Sequence, residues 1–581
     1  MKKAKLYAVR PLKDLKDMLE QSVSLFGSRP AFRKRDVNGQ MHAITYNEFN
    51  RDITALGTAL IDLGLKDKAI AVIGENRYEW CVTYLAVVNG VGTIVPLDRE
   101  LSQADIGNLL EQSQSSAVVF SEKYLDVVQA IKGNFPAVKH WICMGETDDS
   151  SIVSVCALIS DGQKSVEAGS NAWQNAVIDP DKPLILLFTS GTTGFAKGVM
   201  LSHKNICAVI TGVSATVKVL PEDTLLSILP LHHTYECTLG FLTIIYSGAS
   251  IAFSEGLKHI PRNMKEYSPS ILVTVPLLLE NVYNKVWAQA EKEKGTKRAL
   301  IIGQIISGFL YNVLGVDIRK KLFTKIHNNV GGNLRLFIVG AAAIDPKVSK
   351  GFRKWGFSVL QGYGLTECAP LVAGNRDSLF KDSSAGVAIP GVELKVDNPD
   401  KDGVGEILTR GENVMLGYYN NPKETQRVLK DGWFHTGDLG KIDHKGFLYI
   451  TGRCKNVIVT KGGKNIFPEE LESYIKDSPL VGECIVYGEL DANSGETEVK
   501  VQVFPNLDVI REKLKSINLN INTEEIKKAI QDVITNVNRK IPIYKHIRQV
   551  VIRDTEFEKT TSRKIKRHQQ LVSPQVEDNR V

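Results

Sequence analysis

Thr189, Ser190, Gly191, Thr192, Thr193, Gly194 and Lys197 fall within nine residues, and together they offer what a polyphosphate requires. Glycines let backbone N–H groups approach an anion, hydroxyls donate hydrogen bonds to it, and an ammonium neutralises its charge. The apolar run 184–188 just before them reads as a buried strand that empties into the loop. The GxxxxGK[ST] pattern of the usual P-loop fails here, because Ala196 stands five residues after Gly191 and Gly198 follows Lys197. A bare glycine loop would serve equally as a surface turn. The density of hydroxyls, with a lysine behind a strand, favours the anion site.

Four further clusters could do chemistry. In Leu229-Pro230-Leu231-His232-His233-Thr234-Tyr235-Glu236 the HHxxE spacing invites a metal reading. The paired ligands are chain neighbours with no third cluster to support them, so a metal is not expected. On residue type alone, His233 is as well explained as a buried, hydrogen-bonded histidine. The strand pattern 334–339 ends in Gly340, Ala341 and Ala342, small residues against which a flat ring can lie. Tyr363, Gly364, Thr366 and Glu367 lie within five residues, offering an aromatic to stack a base, a hydroxyl for a phosphate and a carboxylate for Mg2+. Asp438, in Thr436-Gly437-Asp438, could accept both hydroxyls of a ribose, and would otherwise be an aspartate in a β-turn. The segment 557–567, with Arg563 and Lys564, reads by itself as a solvated basic tail.

The elements that must position these groups follow from the rest of the chain. At 581 residues, two or more domains are expected. Apolar content of 43% and charged content of 24% are ordinary for a globular protein, and a net charge of +7 over this length points weakly to anionic ligands and not to nucleic acid. Eight scattered cysteines without CxxC imply a reducing, cytoplasmic setting and argue against structural zinc. Met1-Lys2-Lys3-Ala4-Lys5 is basic with no apolar core after it, so no secretory signal is expected. Runs 69–74, 92–97 and 117–120 read as strands alternating with helices, which implies a mainly parallel sheet. The polar, Gly/Ser-rich residues 145–182 read as a linker into the phosphate loop. Ser202 is an N-cap for a helix from His203, and Asn522 with Glu525 a capping box for a later one. Residues 299–316 carry no charge and are flanked by lysines and arginines, but Gly303, Gln304, Ser307, Gly308 and Asn312 make a poor spanning helix. They read as a helix buried in a substrate domain, the alternative being peripheral contact with a membrane surface. Short β runs broken by glycines make 384–450 a β-rich, barrel-like subdomain, and the last ~110 residues a small α+β unit.

TSGTTGFAKG, YGLTE, TGD, GRCK and the tail lysine, in this order, resemble the motifs of the adenylate-forming, AMP-binding superfamily, across nearly the whole chain. PLHHTYE, the insert 284–333 and GYYNNPKET resemble its long-chain acyl-CoA synthetases more than its peptide-synthetase domains. The resemblance implies a large α/β body over residues 1–452, with parallel-type sheets and the barrel-like subdomain, and a small mobile C-terminal domain over 453–581. It implies ATP, Mg2+ and coenzyme A as ligands and a fatty acid as substrate, with an acyl carrier protein as the alternative acceptor and an inactive nucleotide-binding regulatory protein as the alternative function. It assigns the phosphate loop to the β/γ-phosphates, Thr366 to the α-phosphate, Glu367 to the metal and Gly340, Ala341, Ala342, Tyr363 and Gly364 to adenine. Asp438 and Arg453 then serve the ribose and Lys455 the pivot. Gly462 and Gly463 serve the second half-reaction, Lys564 bridges carboxylate and α-phosphate, and His233 sits beside the carboxylate with 239–246 lining the acyl cavity. Three positions depart from the pattern: Ala196 and Glu558 replace proline and Arg563 replaces glycine. Losing the proline costs about 0.4–1 kcal/mol of loop pre-ordering. An arginine at position 563 is unfavourable if the backbone there is left-handed, and its charge would favour the neutral form of Lys564.

Overall fold

Strand-forming runs bounded by glycines and polar turns build two large sheets, each mainly parallel at its centre. A computed structural model describes residues 6–35, 39–189, 196–459, 465–490, 497–516, 523–559, 565 and 567. The eight-stranded sheet runs Gly417–Tyr418, Lys197–Leu201, Ile185–Thr189, Thr93–Pro96, Ala69–Ile73, Ser115–Phe120, His140–Cys143, Val153–Ser154. Its first two pairings are antiparallel and the rest parallel. The nine-stranded sheet has Ile271–Thr274 at its centre, with Leu336–Val339 beside it, parallel both to that strand and to Ser358–Gly364 on its other side. Helices between parallel strands bury apolar stripes on the sheets, as the alternation in the sequence requires. Ser202 accepts from the Asn205 N–H and Asn205 accepts from the Ser202 N–H, so the expected start of helix His203–Ser214 is a full capping box.

Residues 145–182 are not a linker. They contain helix Val155–Glu167, whose Gly162 packs so closely that a Cβ there would stand 1.9 Å from the Ala55 carbonyl oxygen. Trp173 follows it into the core, its Nε1 donating to the Ala86 carbonyl at 2.9 Å in a slot left open by Gly57 and Gly90. Burying an aromatic of about 150–250 Å2 stabilises by roughly 4–6 kcal/mol, enough to pin a stretch whose composition is otherwise that of a loop. The insert also differs from expectation. Helix Thr296–Leu314 buries Gly303, Gln304 and Ser307 and turns its isoleucines outward.

The β-rich stretch forms a five-stranded sheet of Val392–Asp397, Gly405–Gly411, Trp433–Ile442 and Leu429–Lys430, with Leu448–Arg453 beside Trp433–Ile442. The chain divides into two compact units. The first comprises Met1–Leu394, Thr409–Phe434 and Gly446–Leu448, and the second Lys395–Leu408, His435–Lys445 and Tyr449–Val581. The second has its own core, where helices Pro468–Lys476 and Thr523–Asn538 pack on a sheet of Val481–Leu490, Thr497–Pro505 and Ile547–Ile552. Asn522 of the expected capping box lies outside the described residues.

Candidate active site

The strands on either side of the hydroxyl- and glycine-rich stretch, Ile185–Thr189 and Lys197–Leu201, pair antiparallel. Thr189 pairs with Lys197 and Phe188 with Gly198 across the mouth of this hairpin. Ser190, Gly191, Thr192, Thr193 and Gly194 lie outside the described residues, as do Gly462, Gly463, Arg563 and Lys564. Gly417–Tyr418 adds to the hairpin as an edge strand, and the Tyr419 N–H donates to the Gly198 carbonyl at 2.7 Å.

That edge strand ties the lysine to the YGLTE segment. The Tyr418 hydroxyl donates to Glu367 Oε1 at 2.8 Å, and the Met415 N–H donates to the Glu367 carbonyl at 2.8 Å. The Tyr418 ring lies 5.2 Å from Lys197 Nζ, within cation–π range. Burial and the Glu367 carboxylate both push the Tyr418 hydroxyl above the ordinary phenol value, so it remains a donor. Lys197 Nζ also pairs with Glu424 Oε1 at 2.5 Å. A hydrogen bond from Arg427, and then Lys197 itself, hold the Glu424 carboxyl down to about 2. A cavity of about 140 Å3 opens here, lined by Gln112, Phe188, Lys197, Tyr418 and Asn420. Glu367 suits Mg2+, which takes one or two protein carboxylates and completes its shell with water and substrate phosphates. Here one carboxylate oxygen is fixed by a phenol.

The adenine-assigned groups converge at the carboxyl ends of parallel strands, where ligands of open α/β sheets bind. Val339 is in register with Gln361, so Gly340, Ala341 and Ala342 leave the sheet beside Gly362, Tyr363 and Gly364. Ala341 sits at φ 70°, a left-handed conformation that costs an alanine about 1 kcal/mol and that clusters at functional sites. Tyr235 backs this edge. Its hydroxyl lies 3.0 Å from both the Thr274 and Ile338 carbonyls, and a Cβ at Gly340 would stand 2.9 Å from its ring. Thr238 donates to the Ala369 carbonyl at 3.0 Å, just beyond Thr366 and Glu367. Both come from one π-helical segment, Tyr235–Leu242.

His233 precedes that segment and groups with Asp98 and His232. Their ligand atoms lie within 4.8 Å of one another, and Asp98 Oδ1 is 3.4 Å from His232 Nε2. The third member of the HHxxE pattern stands apart. Glu236 accepts from Ser227 Oγ at 2.5 Å, and burial raises its carboxyl to about 8. The fold thus brings Asp98 to the two histidines as a third group that chain spacing did not offer, in an arrangement that lets a carboxylate orient imidazoles. Leu239, Phe241, Leu242, Ile244 and Ile245 are core residues, Phe241 packing on Phe49 and Tyr84. The void at His232, Leu187 and Cys237 is about 10 Å3, room for at most one water.

In the second unit the ribose-assigned pair is joined: Arg453 Nε lies 2.9 Å from Asp438 Oδ1, and Asp438 is buried. Gly437, at φ 70° within the strand Trp433–Ile442, donates its N–H to Glu406 at 3.0 Å. Lys455 lies in the short turn Cys454–Asn456, where Asn456 Nδ2 donates to Glu469 at 2.7 Å. Sequence reasoning missed Tyr235, Thr238, Tyr418 and Glu424. Tyr418 and Glu424 stood within GYYNNPKET, but no local pattern says which tyrosine meets a carboxylate far away in the chain.

The AMP-binding enzyme family model matches residues 19–419, and the AMP-binding enzyme C-terminal domain model matches residues 455–573. The chain is 31% identical over 523 residues to the long-chain-fatty-acid–CoA ligase 5 of Rattus norvegicus, covering 83% of this chain and 74% of that protein. It is 28% identical over 605 residues to fatty acyl-CoA synthetase B of Dictyostelium discoideum, covering 96% and 88%. Its fold is similar to the crystal structure of the anthranilate CoA ligase AuaEII in complex with anthranoyl-AMP, with a TM-score of 0.75 at 19% identity over 97% of each chain.

Proposed function

This chain belongs to the family of AMP-binding enzymes, and from that premise we propose that it joins a long-chain fatty acid to coenzyme A through an acyl-adenylate. The acid's carboxylate attacks the α-phosphorus of ATP, a new C(O)O–P bond forms and pyrophosphate leaves. The thiolate of coenzyme A then attacks the acyl carbon and AMP departs, the thiol proton passing to solvent. The observation that carries this reading is the Lys197–Tyr418–Glu367 cluster at the mouth of the Thr189/Lys197 hairpin. Thr189, Ser190, Thr192, Thr193 and Lys197 bind the outer phosphates. Thr366 touches the α-phosphate, and Gly340, Ala341, Ala342, Tyr363 and Gly364 hold the base. Asp438 with Arg453 takes the ribose, and His233 faces the carboxylate. Lys564 neutralises charge on carboxylate and α-phosphate, where preorganised donors are most effective. Glu367 is the residue that would hold Mg2+, which neutralises phosphate charge when bound. For thioester formation the segment beyond Lys455 turns, replacing Lys564 with the Gly462-Gly463 loop. The names of the relatives support the acid class and the thiol acceptor.

The test is acid-dependent ATP–pyrophosphate exchange over acids from acetate to stearate, followed by thioester formation with free coenzyme A or a carrier protein as acceptor. Exchange is expected to rise with chain length, and coenzyme A to be the better acceptor. The Lys564→Ala variant should lose exchange yet form thioester from supplied acyl-adenylate. Absence of pyrophosphate release with every lipid acid sinks the proposal.

A further inference from the structure

Helix Thr296–Leu314 is amphipathic the wrong way round for a monomeric globular protein. Gly303, Gln304 and Ser307, spaced i, i+1, i+4, face inward, with Gly303 against Leu322 and Phe323. On the opposite face Ile305 is 66% exposed, Phe309 59% and Val313 63%, and Ile301, Ile302 and Ile306 continue the stripe, while Leu314 is exposed at the helix end. A contiguous apolar face of this kind marks an interaction surface. Its ends are basic: residues 291–325 hold eight lysines and arginines against three acidic residues. Lys292, Lys294 and Arg298 are exposed before the helix starts or in its first turn, and Lys320, Lys321 and Lys325 after it. Arg319 lies over the Tyr311 ring at 3.8 Å, giving that aromatic a charged rim. No helix among the described residues is long and apolar enough to cross a membrane.

We propose that this face lies in the surface of an anionic lipid bilayer, its isoleucines and Phe309 among the acyl chains and its flanking cations at the headgroups. An apolar stripe between clusters of lysine and arginine is the pattern of interfacial helices, and cations beside a bilayer are drawn by anionic lipid. A second copy of the chain is the poorer occupant, because self-docking would set basic ends among basic ends. Surface residence suits an enzyme whose substrate dissolves in lipid. Partition is nevertheless read without acid or ATP, so its failure would leave the ligase reading standing.

The experiment is flotation of the full chain with phosphatidylcholine vesicles with and without phosphatidylglycerol. The wild type is expected to float with anionic vesicles, and Ile305→Ser/Phe309→Ser/Val313→Ser to lower the bound fraction about tenfold or more. Lys320→Glu/Lys321→Glu should lose only the preference for phosphatidylglycerol. The Phe309→Trp variant keeps the face apolar should the triple variant not fold, and its emission should shift to the blue on adding anionic vesicles. A wild type that stays at the bottom of the gradient, a folded triple variant that floats undiminished, or unshifted emission overturns the proposal. So does a wild-type dimer that the triple variant dissolves while neither binds vesicles, since the face would then belong to a second copy.

Discussion

Tyr418 serves two charged groups at once, its hydroxyl on Glu367 and its ring beside Lys197. Phenylalanine would keep the ring and lose the hydrogen bond. Bonds to charged groups contribute about 1.5–3 kcal/mol, so Tyr418→Phe should lower acid-dependent exchange roughly 10- to 150-fold. Because the lost bond orients Glu367, the Mg2+ concentration for half-maximal exchange should rise as well. Unchanged Mg2+ dependence would show that the phenol does not position that carboxylate. The chemistry of Thr189, Lys197 and Glu367 was legible from residue type and order. The identity of their organiser was not, because Tyr418 acquires its role from antiparallel pairing with Val199, a contact no local window contains.

The π-helical segment Tyr235–Leu242 clamps two site loops through Tyr235 and Thr238 while carrying a fully buried carboxyl, Glu236. With its folded value near 8 against 4.5 when exposed, Glu236 keeps a proton that the unfolded chain loses between those pH values. Its contribution is therefore fully present below pH 4.5 and is lost as pH rises through about 8. Each unit of difference is worth about 1.4 kcal/mol. Glu236→Gln, neutral throughout, should lack this slope. Its melting temperature should gain on the wild type from pH 5 to pH 8, and parallel curves would mean that Glu236 is ionised in the native state. At this scale the sequence was read best where period and caps agreed, as at Ser202 and the strands 69–73 and 93–96. It failed where one distant contact decided the outcome. Trp173 anchors a stretch composed like a linker, and Gly303 of helix 296–314 faces inward, where a Cβ would stand 3.2 Å from the Leu322 side chain.

The molecule consists of two units, and the residues assigned to one reaction are divided between them: the phosphate, metal and base groups in the first, Asp438, Arg453 and Lys455 in the second. Lys455→Pro tests whether alternation about that residue serves the two half-reactions. It should slow thioester formation more than pyrophosphate exchange, and equal slowing of both would argue against a pivot there. Motif order set the boundary at residue 453 and so grouped Asp438 with the large body, whereas the second compact unit includes it. The chain's course through 384–450, which returns repeatedly from one unit to the other, left no mark in composition. The pairing of Lys197 with Glu424, 227 residues further along the chain, has a consequence for which anions can settle in the cavity beside it. That lysine is not an unsatisfied cation awaiting any visitor, since a tethered carboxylate at high effective concentration already neutralises it. Sulfate or a lone phosphate must compete with a partner that never diffuses away. A guest gripped at several points can win that exchange, so the resident glutamate acts as a sieve against small ions of the solvent.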